Sequence, residues 1–282
     1  MTRKHLFLAL IVTISFNIAS AQSWTNLFDG RTLDSWIQRG GSANYRVENG
    51  AIVGYSKVKT LNSFLCTKDA YDDFILEFEF LVDNDLNSGV QIRSHISWFY
   101  KKGRVYGKQF EIDPSVRAWT GGIYDESRRG WLYPLAENEH AQNAFKNGQW
   151  NKARIEAIGS RIRTWVNGIP CSDLIDDTDL EGFIALQVHA IGTDLKKEGK
   201  TVRWRNIRIC TDEVERFIMP ENTGITQVYA KDPDYSIKDV ISKREFFMGL
   251  LAIICISLGV VSMRKITRNL NQDNDKEINE KR

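Results

Sequence analysis

Four cysteines in 282 residues leave little covalent scaffolding to read. None forms a Cys-x-x-Cys pair, so a compact cysteine metal site is excluded. Cys66, Cys171 and Cys210 lie in the region read below as exported, and Cys255 lies in a C-terminal apolar run. Three thiols permit at most one internal bridge, of which Cys171–Cys210 is one option. The core must therefore hold the fold. An excess of charge is missing as well. The net charge is only +2, and part of that belongs to the two ends. With Arg3, Lys4 and the six basic and four acidic residues of the tail set aside, 30 basic and 32 acidic residues remain. Near-neutrality argues against a general nucleic-acid binder. A helical period of useful length is also absent from the middle of the chain.

Long apolar runs are confined to the ends. Arg3, Lys4 and His5 precede an apolar run over 6–18, followed by Ala19-Ser20-Ala21. That is the layout of a secretory signal covering 1–21, with cleavage before Gln22 and no cysteine there to carry a lipid. At the other end, 246–263 contains eighteen residues without a charge. As a helix it reaches about 27 Å, enough for a thin bilayer. Lys243 and Arg244 precede it, and Arg264, Lys265 and Arg268 follow. The expected layout is a domain over 22–212, a juxtamembrane tether over 213–245, a transmembrane helix over 246–263 and a cytoplasmic tail over 264–282. The domain then lies outside the cytoplasm, at the cell envelope and in the periplasm.

Between the ends the chain reads as short strands: 45–47, 51–55, 74–82, 89–94, 108–113, 153–158, 161–166, 182–189 and 202–210. Asn49-Gly50 and Asn167-Gly168 are strong turn signals between such runs. In 74–82, Leu76, Phe78, Phe80 and Val82 share one face and Glu77 and Glu79 the other. Many short strands with frequent turns predict an all-β sandwich or jelly roll.

Three strands carry unusual polar faces. Alternation places Gln91 with Arg93, then Gln109 with Glu111 and Asp113, then Gln187 with His189. Solvated faces carry mostly Lys, Thr and Glu, whereas amides, a guanidinium, carboxylates and an imidazole suit a polyhydroxylated ligand. A wet sheet face without any ligand is the plainer reading of each residue alone. The segment 115–149 reads as an irregular loop with Trp119, Tyr124, Trp131 and Tyr133. Such aromatics stack on sugar faces or cover a sheet edge.

Six segments resemble, in order, the bacterial 3-keto-disaccharide hydrolase domains. They are Trp24-Thr-Asn-Leu-Phe-Asp-Gly-Arg-Thr-Leu-Asp-Ser-Trp36, Asn87-Ser-Gly-Val-Gln-Ile-Arg93, Thr120-Gly-Gly-Ile-Tyr124, Gly148-Gln-Trp-Asn151, Ile162-Arg-Thr-Trp-Val-Asn-Gly168 and Arg203-Trp-Arg-Asn-Ile-Arg208. The resemblance spans nearly all of 23–210. It implies a concanavalin-like jelly-roll β-sandwich acting on glycosides already oxidised to a ketone at carbon 3. One departure is Gln109 followed by Glu111, where the family more often has Glu then Gln. The ketone acidifies the proton on carbon 2, so a base can remove it and the glycosidic bond breaks by β-elimination, followed by hydration. Glu111 or His189 is the expected base and Arg93 the enolate stabiliser. Gln91, Gln109, Asp113, Tyr124, Trp119 and Gln187 are the expected substrate binders. Glu111 with Asp113 as a carboxylate pair, and a divalent metal held by His189 with Glu111, are further options. The functional partner implied is a sugar 3-oxidoreductase. The rival readings are a non-catalytic, lectin-like module and a surface protein whose aromatic loop docks a partner.

Overall fold

The computed structural model describes residues 23–221 and 224–232. The expected signal peptide and the apolar run 246–263 lie outside the described residues. Among the described residues, no helix is long and apolar enough to cross a membrane. The strands in chain order are β1 (Trp24–Asn26), β2 (Trp36–Gly40), β3 (Asn44–Glu48), β4 (Ala51–Tyr55), β5 (Ser63–Tyr71) and β6 (Phe74–Val82). Next come β7 (Ser88–Ile96), β8 (Val105–Ile112), β9 (Ile123–Glu126), β10 (Gly130–Tyr133) and the short helix α1 (Glu139–Gln142). The chain then runs through β11 (Asn151–Ile158), β12 (Arg161–Val166), β13 (Ile169–Ile175), β14 (Gly182–Val188), β15 (Thr201–Cys210) and β16 (Val228–Tyr229).

Two sheets form a β-sandwich. One runs β16-β13-β12-β11-β6-β15-β4-β3, with β1 also on β15; the other runs β10-β9-β8-β7-β14-β5-β2. Strict alternation builds the core between them. Leu76, Phe78, Phe80 and Val82 of β6 are buried there, while Glu77 and Glu79 face out. From the opposite sheet Phe110 stands edge-on to Phe78 at 5.6 Å and to Phe80 at 6.1 Å between ring centroids. Phe110 lies between Gln109 and Glu111 on β8, so this aromatic cluster fixes the strand that carries the polar face.

The structure adds strands that the sequence did not predict. The segment read as an aromatic loop contains the β9–β10 hairpin, whose four-residue strands are too short to show a period. Pro170 obscured β13; it sits at an irregularity in the β12–β13 ladder, where its missing N–H does least harm. The expected tether is also corrected over its first part. Val214 is buried, Arg163 donates to the carbonyls of Met219 and Pro220, and β16 pairs in parallel with β13. These contacts fold 214–221 and 224–230 against the sandwich. Cys66, Cys171 and Cys210 are buried and free, so Cys171 and Cys210 are not bridged.

Candidate active site

Asn62, Asn87, Gln109, Glu111, Arg117, Tyr124, Glu126, Trp131 and His189 line a cleft of about 420 Å³ on the outer face of the seven-stranded sheet. Its floor is β8. Gly89 faces Glu111, and Gln91 faces Gln109, in the β7–β8 register. A Cβ at Gly89 would lie 2.3 Å from Gln109 Cδ, so only glycine lets that amide lie across the sheet. Backbone bonds pin Glu111 on its other side, from its own N–H to Gly122 O at 3.0 Å and from Gly121 N to its carbonyl at 3.0 Å. Gly121 has φ +93°, and a Cβ there would meet Cys171 Sγ at 2.7 Å, which explains the Gly-Gly pair at this crossing.

Glu111 is only 4% exposed. Asn87 Nδ2 donates to its Oε1 at 2.6 Å and Gln109 Nε2 to its Oε2 at 2.8 Å. Burial pushes its carboxyl up to about 7, against the pull of these two amides; Asp113 adds to the rise and Arg117 opposes it. A carboxyl that titrates near neutrality can take and return a proton.

Asp113 does not line the cleft. Its Oδ2 accepts from Arg117 Nε at 2.7 Å, and its Oδ1 from Ser115 N at 3.1 Å. Burial raises its carboxyl, but the bonds from Ser115 and Arg117 outweigh this and hold it below its usual range. It therefore positions a cation and does not pair with Glu111 as a second carboxylate. The cation is Arg117, whose guanidinium carbon lies 4.8 Å from each of the Trp119 and Trp131 rings. Its Nη2 comes to 3.9 Å from Glu111 Oε1.

Arg93 is not on the polar face. It has φ +44° at an irregularity in the β7–β8 ladder, which breaks the alternation after Ile92. Its guanidinium turns to the end of the sandwich and donates to the carbonyls of Asp72, Gly159 and Ala157, each within 2.9 Å. An ion pair with Asp73 at 3.0 Å completes its partners. The expected enolate stabiliser is thus a structural arginine.

His189 lines the cleft where alternation placed it. Its Nδ1 lies 2.7 Å from Ala190 O. A carbonyl only accepts, so Nδ1 carries a proton and donates it to Ala190 O. Ala190 N in turn donates to Asn62 Oδ1 at 2.8 Å, fixing this corner. Gln91 and Gln187 are fully buried and lie outside the cleft lining. Gln187 Nε2 donates to Glu126 Oε2 at 3.1 Å, so it holds a lining residue. Gln109 and Tyr124 do line the cleft, and Trp119 backs it, edge-on to Trp131 at 4.7 Å. A metal does not fit these donors. Both Glu111 oxygens accept from amides, and among the described residues no three His, Cys, Asp or Glu side chains cluster to hold an ion.

Sequence reasoning missed Asn62, Asn87, Arg117 and Glu126 as lining residues, while Trp131 was among the loop aromatics read as stacking on a sugar or covering a sheet edge. Glu126 was findable, because alternation in β9 puts it on the face of Tyr124. Arg117 was not, since it comes from a loop whose path no period encodes.

Residues 23–210 match the family model of the 3-keto-alpha-glucoside-1,2-lyase-like domain. No curated protein sequence matches the chain. Among solved structures, a candidate glycosyl hydrolase from Parabacteroides distasonis is 16% identical, covering 69% of this chain and 98% of that one, with a TM-score of 0.49. A second from the same organism is 21% identical, covering 67% and 98%, with a TM-score of 0.45. A carbohydrate binding module from Bacillus subtilis is 15% identical, covering 62% and 94%, with a TM-score of 0.37.

Proposed function

The chain belongs to the 3-keto-alpha-glucoside-1,2-lyase-like domain family, and on that premise we propose that it cleaves 3-keto-glycosides by β-elimination followed by hydration. The observation that carries this reading is Glu111, a carboxyl buried between two amides, raised to about 7 and lining an open cleft. The ionised carboxylate takes the proton from carbon 2, and the electron pair moves toward the carbon 3 ketone. As the enolate collapses, the bond from carbon 1 to the leaving oxygen breaks. His189 in its protonated form gives the departing alcohol a proton. Water later adds at carbon 1 of the unsaturated sugar. Arg117 is the cation placed to stabilise the enolate, in the part first assigned to Arg93. Gln109, Tyr124 and Asn87 bind hydroxyls, and Trp131 offers a ring to the sugar face. No step passes through a metal.

The sandwich is then of the concanavalin-like jelly-roll type that the resemblance implies. The signal peptide over 1–21 and the helix over 246–263 make the protein a single-pass envelope protein with its domain in the periplasm. A separate oxidoreductase that makes the ketone is its functional partner. A paired assay of one glycoside, before and after oxidation at carbon 3, tests the chemistry in the full-length protein. Turnover only after oxidation is expected; equal hydrolysis of the unoxidised sugar sinks the proposal. For the anchor, deletion of 246–263 should move the protein from the membrane fraction to the soluble one. Continued sedimentation with membranes would reject it.

A further inference from the structure

Beneath the cleft, four side chains form one unbroken line of hydrogen bonds. Ser94 Oγ donates to Gln91 Oε1 at 2.7 Å, Gln91 Nε2 to Gln109 Oε1 at 2.7 Å, and Gln109 Nε2 to Glu111 Oε2 at 2.8 Å. All four side chains are buried. The direction of the line is set at one end, because an ionised carboxylate accepts and cannot donate. Gln109 must therefore present its N–H, Gln91 must follow, and Ser94 must give its hydroxyl proton.

Protonation of Glu111 reverses that demand. A carboxyl O–H needs an acceptor, and neither amide that now faces it presents one. A buried donor left without a partner is costly. The line offers a way out because each amide can exchange its oxygen and nitrogen by turning over. Ser94 closes the far end, with its Oγ also 3.0 Å from Ile92 O and 3.4 Å from Lys108 O. We propose that Ser94, Gln91 and Gln109 form a reversible amide relay. When Glu111 takes a proton, both amides turn over and the serine hydroxyl swings to a backbone carbonyl, so both states of the carboxyl are fully hydrogen-bonded. The proton bound to Oε2 then faces Gln109 Oε1, Gln109 Nε2 faces Gln91 Oε1, and Gln91 Nε2 faces Ser94 Oγ. No bond is lost in either state.

The two glycines beside the line are explained by it. A Cβ at Gly89 would strike Gln109, and one at Gly107 would lie 2.5 Å from Ser94 Oγ. Both positions hold open the space in which the line runs. The relay rests on the reading that Glu111 exchanges a proton during turnover, and makes Ser94 and Gln91 positioning residues that act through it. The charged and titratable groups around Glu111 are Asp113 just past the end of its strand, Arg117 from the loop, Tyr124 on β9, and His189 and Glu126 across the cleft. None of them is altered in the test.

The full-length protein, labelled with 13C at glutamate carboxyls, is titrated by NMR in wild type, Ser94→Ala and Gln91→Met, with Glu111→Gln to assign the signal. Ser94→Ala strands a Gln91 N–H in the protonated state and only a carbonyl in the ionised state. The orphan N–H is the worse of the two, so proton affinity at Glu111 should fall about threefold to tenfold. Gln91→Met keeps a weak acceptor but no donor, so it favours the protonated state and affinity should rise. A simple loss of polarity would raise both. Wild-type Gln91 amide protons should also shift with the Glu111 midpoint, a readout that needs no variant to fold. Midpoints that stay put or move together in folded variants, or a Gln91 amide that stays fixed as Glu111 titrates, overturn the relay. Full turnover by Glu111→Gln would instead remove Glu111 as the base, and leaves the NMR result standing.

Discussion

Glu111 and Glu156 are both glutamates almost wholly removed from water, at 4% and 1% exposure, on the outer faces of opposite sheets. Their partners differ. Glu156 Oε1 accepts from Arg154 at 2.7 Å and its Oε2 from Arg163 at 2.5 Å. Around it the nine-stranded sheet is a ladder of such pairs: Arg154 and Arg208 reach Glu77, Arg205 reaches Glu79, and Arg161 reaches Asp173. At Glu79 burial pushes the carboxyl up, but the bonds from Arg205 and Asn206 prevail and hold it below its usual range. Glu111 has two amides, and its nearest cation stays at 3.9 Å. A buried carboxylate matched to guanidinium ties strands together. One matched to amides is left poised to exchange a proton. The same residue type thus gives scaffold on one face and chemistry on the other.

The sharpest way to break this contrast is to make the same substitution on both faces. Glu111→Gln keeps the shape at the cleft, and its one new N–H is met once the Gln109 amide turns over, so the fold should hold while turnover of a 3-keto-glycoside falls about two to four orders of magnitude. Glu156→Gln leaves the buried Arg163 without its carboxylate and Arg154 with Glu77 alone, and should cost about 3 kcal/mol of stability, with the folded fraction still active. Denaturant midpoints and turnover, measured on both variants, decide. Loss of activity in Glu156→Gln or of stability alone in Glu111→Gln would reverse the roles of the two faces.

A titration sharpens it further. In Glu111 the folded carboxyl sits near 7, above its ordinary value of 4.5. The folded state therefore binds more protons than the unfolded chain between those values, and stability falls as pH rises through that window. The shift amounts to about 3 kcal/mol at most and is complete above neutrality. Asp113, Asp173 and Asp176 are held low and act the other way, so their contribution is lost only as pH falls through the acid range. The stability of Glu111→Gln minus that of wild type should therefore grow from pH 5 to pH 7 and level off. A difference that does not depend on pH would place the Glu111 carboxyl in the ordinary range. If the ionised form is the base, kcat/KM in wild type should rise across the same window.

How much of this was legible in the sequence follows from periodicity. The period of two placed Glu111 with Gln109, because β8 stays regular over those residues, and His189 with Gln187, because His189 directly follows the end of β14. It failed at Arg93, where an irregular step with positive φ turned the side chain to the other side of the sheet. The alternation also could not say that Gln91 and Gln187 would be covered, since burial on an outer face depends on neighbouring strands and loops. Arg117 and Asn62 come from loops, and only the folded chain brings them to the cleft. The ion pairs of the nine-stranded sheet were equally hidden, because their register is a property of strands distant in sequence.

Arg117 and Arg93 extend the contrast to cations. Arg117→Ala removes the guanidinium nearest Glu111 and should lower kcat about tenfold to a hundredfold, with a smaller change in KM. Arg93→Ala strands three carbonyls at the sandwich end and should lower Tm while the folded fraction keeps its rate. Steady-state kinetics beside a melting curve distinguish them. If Arg93→Ala proves to be the slow enzyme and Arg117→Ala the unstable one, the two assignments are exchanged.

The smallest effect is expected on the exposed part of the ladder. Arg205 Nε meets Glu79 Oε2 at 2.8 Å, yet the two side chains are 39% and 19% exposed. Water screens such a pair, and holding two long side chains in one geometry costs entropy. A double-mutant cycle of Arg205→Ala and Glu79→Ala should give a coupling of under about 1 kcal/mol, weakening as salt is added. The single change at Arg205 should cost more than that coupling, because its guanidinium carbon also lies 4.0 Å from the Trp150 ring and its stem covers that surface. Coupling well above this, insensitive to salt, would mean that the exposed rungs bind as strongly as the buried Glu156 pairs. Burial would then not grade the pairs along that face, and the guanidinium partner alone would set how firmly each carboxylate is held.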